Sequence, residues 1–510
     1  MFKKVFNFSN LIFYSSIIFF LLYLFSLPYW PMSHDTTAIE HIAKLIYRDG
    51  YIPYKEIYDQ SFPGTFLFFI FKEIFFGHSD MGAQSFNLLF CIVFFSVFIF
   101  MFKRNIKQLT PIILFFLTYF SFGAEMSLQR DFICAFFIII AFLVTEFNWA
   151  KKYRIKYYLL GFIISFVCMM KPQLGIGLPI LFFYTILKES DKRFKAIIIN
   201  GLVVILGFAT VLFFSFLWVY LKNGLDFYLF MQKNYLPLYV RLNKNHEYIP
   251  DITQRLLINI KAFIYLIPFW RGAFFVLFSG YCIAFLEKWN FKNNSRFYLF
   301  SFLAISYSLI LLLNGHYFPY HFMPFWFFSF LSFSYVFIDL KNTKSIQIKN
   351  FTLFVVFIIN ILFIPREFKS FYSNTPMPKV KKGRVEFLVE KFDEIKTNNN
   401  YVQPLDWMRG GVFHAMMKSG KLIASPFFDD HCLKQGMEQP HFKKLEEIFI
   451  NSLETKKASL IVESLVHKSP KGPGTSNKIS KKLLSYIKNN YSIINLDKNF
   501  IIYQRTSELK

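Results

Sequence analysis

The stretch from Pro28 to Phe69 reads PYWPMSHDTTAIEHIAKLIYRDGYIPYKEIYDQSFPGTFLFF. It follows the first long apolar run of the chain, residues 11–30, so we expect it to emerge at a membrane surface. Asp35 lies just past that run, and Asp59 lies further along the same loop. A carboxylate held where a helix leaves the membrane is costly, and both residues are therefore candidates for function.

The rest of the chain explains why that surface is a membrane surface. Of its 510 residues 55% are hydrophobic and only 17% are charged, and the mean hydropathy is +0.37. Apolar runs of about 15–25 residues recur through the first part of the chain, which predicts a polytopic α-helical membrane protein. The eleven predicted spans are residues 11–30, 81–102, 108–124, 131–148, 157–170, 173–187, 196–220, 261–286, 297–313, 318–338 and 351–364.

The position of the basic residues predicts the orientation. The formal net charge is +25, but the 73 Phe and the abundant Ile, Lys and Asn indicate a compositional bias, so this charge is no evidence for nucleic-acid binding. The basic residues cluster in short segments between apolar runs, which are cytoplasmic under the positive-inside rule. This places the N-terminus inside and everything after Ile364 outside. The clusters begin at Lys3, Lys103, Lys151, Lys188, Lys288 and Lys341.

The polar segments outside the membrane then fall into four loops and a tail. The first loop, residues 31–80, is predicted to hold an amphipathic helix at Thr36–Asp49 and a second interfacial helix at Pro63–Phe76. Residues 365–510 alternate helical and strand patterns, which predicts a small extracytoplasmic α/β domain beside a transmembrane domain of residues 1–364. The predicted tail elements are helices at Val385–Thr397 and His441–Leu453, and strands at Lys421–Ala424, Ser459–Val462, Tyr491–Leu496 and Phe500–Tyr503.

Six short motifs occur along the predicted loops, spans and tail. They are HD at His34–Asp35, DGYIPYKEIYDQSFPG at 49–64, SLQRD at 127–131, KPQLGIGLP at 171–179, HYFPYHFMP at 316–324 and YVQPLDWMRGGVFHAM at 401–416. With the first acidic loop, the many spans and the outer domain, the chain resembles the GT-C superfamily of integral-membrane glycosyltransferases. Within it the chain is similar to the bacterial group of protein mannosyltransferases and the lipid A aminoarabinose transferase.

The resemblance implies transfer of a monosaccharide from a polyprenyl-phosphate donor to a lipid, glycan or protein acceptor. The reaction would take place at the outer face of the bacterial inner membrane. The partners implied are the donor, the acceptor and membrane lipid, with no nucleic acid. No cofactor is expected, and a divalent metal is not expected either, because the first loop has no DxD pattern.

Three carboxylates are the catalytic candidates. Asp35 matches the family's first-loop acid and is the predicted base; alternatively it caps the helix that follows. Asp131 resembles the second acidic position, although an ion pair with Arg130 would also explain it. Asp59 precedes Pro63 as the family's acid does, or it simply starts a turn. The chain has Gln60-Ser61-Phe62 where the family often has a basic residue, which weakens the case for a phosphate contact in this loop.

The remaining candidates are predicted to bind substrate. Lys171 precedes Pro172 where two short spans meet, and its ammonium suits a phosphate, unless the side chain only extends to the interface. The basic loop near Arg241 and Lys244 suits an anionic substrate or is solvated surface charge. The full set of predicted binding residues is His34, Arg130, Lys171, Arg241, Lys244, His316, Tyr320 and His321.

Two other functional classes stay open at this point. A transporter or flippase of lipid-linked glycans usually has broken helices at corresponding places in two halves, whereas only one break is evident here, at Lys171-Pro172. A polymerase or ligase of cell-surface glycans tends to place its large outer loop late and to use arginines, whereas the acidic loop here comes early.

Overall fold

A computed structural model describes residues 8–146, 154–189, 194–239, 249, 251–265, 272–314, 318–337, 340–373, 383–405, 410–428, 440–466 and 480–508. The chain divides into two compact units. The helical unit comprises Met1–Pro31, Asp80–Phe214 and Asn259–Pro376, and the sheet unit comprises Met32–Ser79, Ser215–Ile258 and Met377–Lys510.

The secondary structure is mainly helical, with one small sheet near the C-terminus. The α-helices are α1 Phe8–Ser26, α2 His34–Tyr47, α3 Pro63–Phe76, α4 Asp80–Met101, α5 Leu109–Phe120, α6 Arg130–Glu146, α7 Ile155–Met170, α8 Gly177–Lys188, α9 Phe194–Leu221, α10 Leu225–Asn234, α11 Leu236–Tyr239, α12 Ile252–Tyr265, α13 Ala273–Leu286, α14 Ser295–Asn314, α15 Met323–Ser334, α16 Thr343–Leu362, α17 Arg366–Ser373, α18 Arg384–Glu394, α19 Val412–Lys418, α20 Pro440–Lys456 and α21 Lys481–Asn490. The strands are β1 Tyr401–Leu405, β2 Leu422–Ile423, β3 Leu460–Ser464, β4 Tyr491–Leu496 and β5 Phe500–Arg505.

The prediction of a polytopic helical membrane protein with a C-terminal sheet domain is confirmed. Among the described residues, five helical stretches are long and apolar enough to cross a membrane: Ser9–Tyr29, Asp80–Met101, Phe194–Leu221, Ser295–Leu312 and Thr343–Leu362. Shorter apolar helices accompany them at Ile106–Phe120, Ile155–Met170, Pro172–Lys188 and Ala273–Leu286. The predicted span 261–286 differs, because α13 begins only after Gly272, whose φ is +78°.

Ion pairs and hydrogen bonds identify the basic end of the helical unit. Glu146 at the end of α6 pairs with Lys188 from α8 and with Arg296 from α14, at 2.8 and 2.6 Å. Asn105 donates to the Phe337 carbonyl at 3.4 Å, which brings the end of α15 to the start of α5. The basic segments predicted at Lys103, Lys188 and Lys288 therefore lie close to these contacts. Lys188 is part of one contact, and Lys103 and Lys288 lie a short way along the chain from residues of the others.

Phenylalanine fills the core of the helical unit. Phe94 lies 5.3 Å from Phe132, 5.7 Å from Phe116 and 5.2 Å from Phe327, measured between ring centroids. These tilted and edge-on pairs each add about 0.5–1.5 kcal/mol beyond the area that they bury. The ring cluster joins α4, α5, α6 and α15, the helices on which the site below depends.

The first loop packs with the tail inside the sheet unit. The strand order is β2-β1-β3-β5-β4, with parallel pairing among β2, β1 and β3 and antiparallel pairing on the β5-β4 side. Tyr51 donates its hydroxyl to the Ile423 carbonyl at 2.7 Å, and the Tyr58 amide donates to the Pro426 carbonyl at 2.7 Å. The predicted boundary between two domains at residue 364 stays a prediction. The hydrophobic core of the tail also includes residues of the first loop and of segment 215–258.

Helix α2 differs from the amphipathic surface helix that its sequence predicts. It begins at His34 rather than Thr36, and it is buried on nearly all sides, including Glu40 and His41. The Lys72 ammonium of α3 pairs with the Glu40 carboxylate, and both side chains are fully buried. A buried charge needs such a partner, so this pair fixes α2 against α3. Their interfacial position at a membrane stays a prediction.

Candidate active site in the helical unit

Three ionisable side chains meet at the end of the helical unit opposite to Glu146. The Lys171 ammonium lies 2.5 Å from Asp131 Oδ2 and 2.7 Å from His321 Nδ1. His321 Nδ1 is 3.4 Å from the same Asp131 oxygen. Asp131 and Lys171 are buried, with side chains only 3% and 8% exposed. The sequence predicted each residue separately, and the structure brings them into one cluster.

Local sequence explains why these side chains point inward. Pro172 lacks an amide proton and disfavours helical geometry at the residue before it, so α7 ends at Met170 and Lys171 takes an extended conformation with φ −155° and ψ 94°. Asp131 lies in the first turn of α6, where a carboxylate interacts favourably with the helix dipole. His321 lies in the short 3-10 turn Pro319–Phe322 before α15.

The contact with Lys171 favours one tautomer of the imidazole. A lysine ammonium only donates, so a charged Lys171 donates to His321 Nδ1 and leaves the imidazole proton on Nε2. The Tyr320 ring packs edge-on against the His321 ring at 4.4 Å, and Lys171 Nζ lies 5.9 Å from the Tyr320 ring centroid. The cluster therefore offers an ammonium and an imidazole N–H as donors, with one carboxylate to balance the charge.

The cluster opens into a small cleft. Tyr307 and Gln173 line it and were not identified from the sequence, although both are polar residues beside or within an apolar span. Tyr307 donates to the Leu174 carbonyl at 2.9 Å. A Cβ at Gly177 would lie 2.7 Å from the Tyr307 hydroxyl, so a larger residue there would have to displace that hydroxyl. The other lining residues are Leu174, Ile310, Leu311 and Pro324.

The first-loop candidates belong to the sheet unit. Ser33, and not Asp35, caps α2: its hydroxyl accepts from the Thr36 amide at 3.2 Å, so the helix-cap explanation of Asp35 is wrong. Asp35 Oδ1 instead lies 3.2 Å from His34 Nε2, and both side chains are partly exposed. Asp59 Oδ1 accepts from the Ser61 amide at 2.5 Å, which is the turn geometry that was the alternative to a catalytic role.

The structure describes some of the other predicted site residues and leaves others outside the described ranges. Asp131 forms an ion pair with Lys171, whereas the sequence offered Arg130 as its partner, and Lys171 is buried within the helical unit. Arg130 begins α6 beside Asp131 and is half-buried. Arg241, Lys244 and His316 lie outside the described residues. The roles of all these residues in binding or catalysis stay predictions.

Comparison with solved structures supports this fold. ArnT from Cupriavidus metallidurans bound to undecaprenyl phosphate aligns over 97% of each chain, with a TM-score of 0.54 and 10% identity. The same protein in the apo state aligns over 97% of each chain, with a TM-score of 0.54 and 9% identity. No protein-family model and no curated protein sequence matches the chain. The chain thus shares the fold of ArnT over nearly its whole length.

Proposed function

We propose that the chain is a membrane glycosyltransferase that moves a monosaccharide from a polyprenyl phosphate to an acceptor hydroxyl or amine. The observation that carries the proposal is the buried Asp131–Lys171–His321 cluster, in a fold whose solved example holds undecaprenyl phosphate. An ionisable cluster inside a membrane bundle is costly to keep, and such clusters usually mark a substrate path.

The reaction requires charge compensation where the donor breaks. The bond between the anomeric carbon and the phosphate oxygen breaks, and the polyprenyl phosphate leaves with the electron pair. The acceptor oxygen or nitrogen forms the new bond to the anomeric carbon and gives its proton to a base. Lys171 and His321 supply positive charge and an N–H donor for the leaving phosphate, and Asp131 holds Lys171 in place.

The other candidate residues complete the proposal. Asp35 is the base, with His34 beside its carboxylate at 3.2 Å. Arg130 and Tyr320 border the cluster and are assigned to the phosphate end of the donor, together with Arg241, Lys244 and His316. Asp59 is assigned to the acceptor side. The chemistry uses protein groups alone, so we propose that it needs no divalent metal.

The orientation belongs to the same proposal. Lys171, His321 and α17 would face the outside of a bacterial inner membrane, and the basic end around Glu146 would face the cytoplasm. Alkaline phosphatase fused after Ser373 should be active in intact cells, and the same enzyme fused after Lys341 should be inactive. The reverse pattern would overturn the orientation.

The function is tested on cells that carry the chain, lack it, or carry Asp35→Asn. Mass spectrometry of surface glycans should show a shift of one sugar residue that depends on the chain and disappears in Asp35→Asn while the protein still accumulates. Asp226→Asn is the matched control, because Asp226 is also an acid in the first turn of a helix of the sheet unit, α10. A full mass shift with Asp35→Asn would remove Asp35 as the base, and glycans that do not depend on the chain would contradict the transferase.

A further inference from the structure

A second set of buried polar residues lies in the helical unit, away from the charged cluster. Gln84, Asn87 and Tyr119 are each no more than 1% exposed, on helices α4 and α5 that are otherwise strongly apolar. Polar groups inside a membrane bundle are unfavourable unless they are hydrogen-bonded. These three residues satisfy one another.

The hydrogen bonds form one continuous series that runs in a single direction. The Leu128 amide donates to the Tyr119 hydroxyl at 3.3 Å, and that hydroxyl donates to Asn87 Oδ1 at 2.8 Å. The Asn87 amide donates to Gln84 Oε1 at 3.3 Å, and the Gln84 amide donates to the Pro31 carbonyl at 2.9 Å. Bonds arranged head to tail in this way polarise and strengthen one another.

Both ends of the series lie close in sequence to the two principal carboxylates. Leu128 is separated from Asp131 by two residues, in the turn that leads into α6. Pro31 ends the segment after α1, from which the loop that carries Asp35 departs. The series thus ties the turn before Asp131 to the start of the first outer loop.

Leu128 shows that this turn is held against a conformational cost. Its φ is +56°, in the left-handed region that a leucine rarely adopts. The Tyr119 hydroxyl accepts the amide proton of that residue, and the Tyr119 ring stacks on Phe132 with centroids 4.1 Å apart. Tyr119 therefore contacts the backbone before Asp131 and the side chain directly after it.

We propose that Gln84, Asn87 and Tyr119 are positioning residues that set the place of Asp131, and through it the place of the Lys171 ammonium. This inference rests on the proposed function, because the ammonium is assigned there to the donor phosphate. If the first turn of α6 shifts, Asp131 Oδ2 moves away from Lys171 Nζ, and the ammonium is no longer held in the cleft.

The first test is hydrogen exchange of the full chain in detergent, followed on peptides that cover residues 123–132. Tyr119→Phe keeps the stacked ring and removes only the hydroxyl, so the Leu128 amide should exchange at least tenfold faster. Tyr157→Phe is the matched control: Tyr157 is also buried and loses a hydroxyl bond, to Glu189 at 2.7 Å at the basic end. Equal protection of the segment in wild type and Tyr119→Phe overturns the proposal.

The second test separates positioning from general stability. Undecaprenyl phosphate should bind about tenfold more weakly to Tyr119→Phe than to wild type, a loss of about 1.4 kcal/mol, and within twofold of wild type to Tyr157→Phe. If the series acts through Asp131, adding Tyr119→Phe to Asp131→Asn should change affinity less than twofold. The same tenfold loss in both backgrounds would show a structural role only and would overturn the proposal.

A failure of the proposed function can be distinguished from a failure of the positioning proposal. If the wild-type chain binds no undecaprenyl phosphate, the proposed function fails, while the exchange experiment still decides whether the series holds the turn. If Tyr119→Phe does not accumulate, Gln84→Met breaks the series at its other end and leaves the bond between Tyr119 and Leu128 intact. The expected result is then a smaller acceleration of exchange at residues 123–132, and unchanged exchange contradicts the series.

Discussion

Asp131 and Lys171 are each costly to bury alone, and the structure buries them as a pair. The pairing explains how a lysine can be kept in an apolar bundle beside a neutral His321. It also implies that the two residues cannot be replaced one at a time without a large loss of stability.

The pair predicts a specific pattern of stabilities. Asp131→Asn leaves the Lys171 ammonium buried without its counter-charge and should destabilise the chain by about 3–5 kcal/mol. Asp131→Asn combined with Lys171→Met removes both charges. In detergent, the midpoint of thermal unfolding of this double variant should regain most of the decrease that Asp131→Asn causes. A double variant as unstable as Asp131→Asn would contradict the ion pair.

His41 predicts a pH dependence of stability in the sheet unit. Both ring nitrogens are buried and have no hydrogen-bond partner among the described residues, and Phe413 packs edge-on at 4.5 Å. Burial lowers the pKa of His41 to about 3, so the folded chain keeps it neutral. Below a pH of about 6.5 the unfolded chain binds a proton that the folded chain does not. The free energy of unfolding therefore falls with falling pH, by up to about 1.4 kcal/mol per pH unit.

His41→Gln removes this titration with little change in size. Between about pH 7 and pH 5 the thermal midpoint of wild type should fall more than the midpoint of His41→Gln. The difference between the two chains reports the titration of His41, because neighbours such as Glu40 are present in both. His78→Gln is the control, since His78 is partly exposed beside Glu73. Identical pH dependence in wild type and His41→Gln would contradict the lowered pKa, because His41 would then bind its proton equally in the folded and the unfolded chain.

Among the elements, α7 and α9 pack by backbone contact. A Cβ on Gly161 would collide with the Val204 carbonyl, and a Cβ on Gly207 would collide with the Tyr158 carbonyl. Ser165 Oγ also donates to the Phe208 carbonyl at 2.8 Å. Small residues allow membrane helices to approach this closely, so α9 is fixed against α7, the helix that ends just before Lys171.

Gly161→Ala should therefore destabilise the helical unit by about 1–3 kcal/mol, because the obstructing atoms are backbone and cannot rotate away. Gly201→Ala on α9 is the matched control, since its Cβ would meet only the Phe182 ring at 3.7 Å. The measurement is the thermal midpoint in detergent. Equal midpoints for the two variants would contradict the close approach of α7 and α9.

The helices were largely predictable, and the sheet less so. Long apolar runs and the Lys171-Pro172 break determine the helix positions by composition and sterics. Strand β1 was missed because Pro404 argues against an inner strand, yet β1 pairs on both sides. The cluster of Asp131, Lys171 and His321 could not be predicted as a unit, because these residues are far apart in sequence and no local pattern encodes their distance.

For the whole molecule, the central feature is that distant parts of the chain build each unit. Residues 32–79, 215–258 and 377–510 form the sheet unit, whereas the segments before and between them form the unit that holds the charged cluster. The ArnT structures align with 97% of this chain, so the shared fold includes both units. A binding experiment therefore needs the full chain, with both units present.

The most direct test is binding of undecaprenyl phosphate to the purified full-length chain in lipid nanodiscs. The wild-type chain should bind the phosphate lipid saturably and should not bind undecaprenol, which lacks the phosphate. Asp131→Asn combined with Lys171→Met removes the ammonium without leaving a buried charge unpaired, and it should bind at least tenfold more weakly, a loss of about 1.4 kcal/mol or more. Equal binding of undecaprenol, or unchanged affinity in this double variant, would contradict the assignment of this cluster to a polyprenyl-phosphate donor.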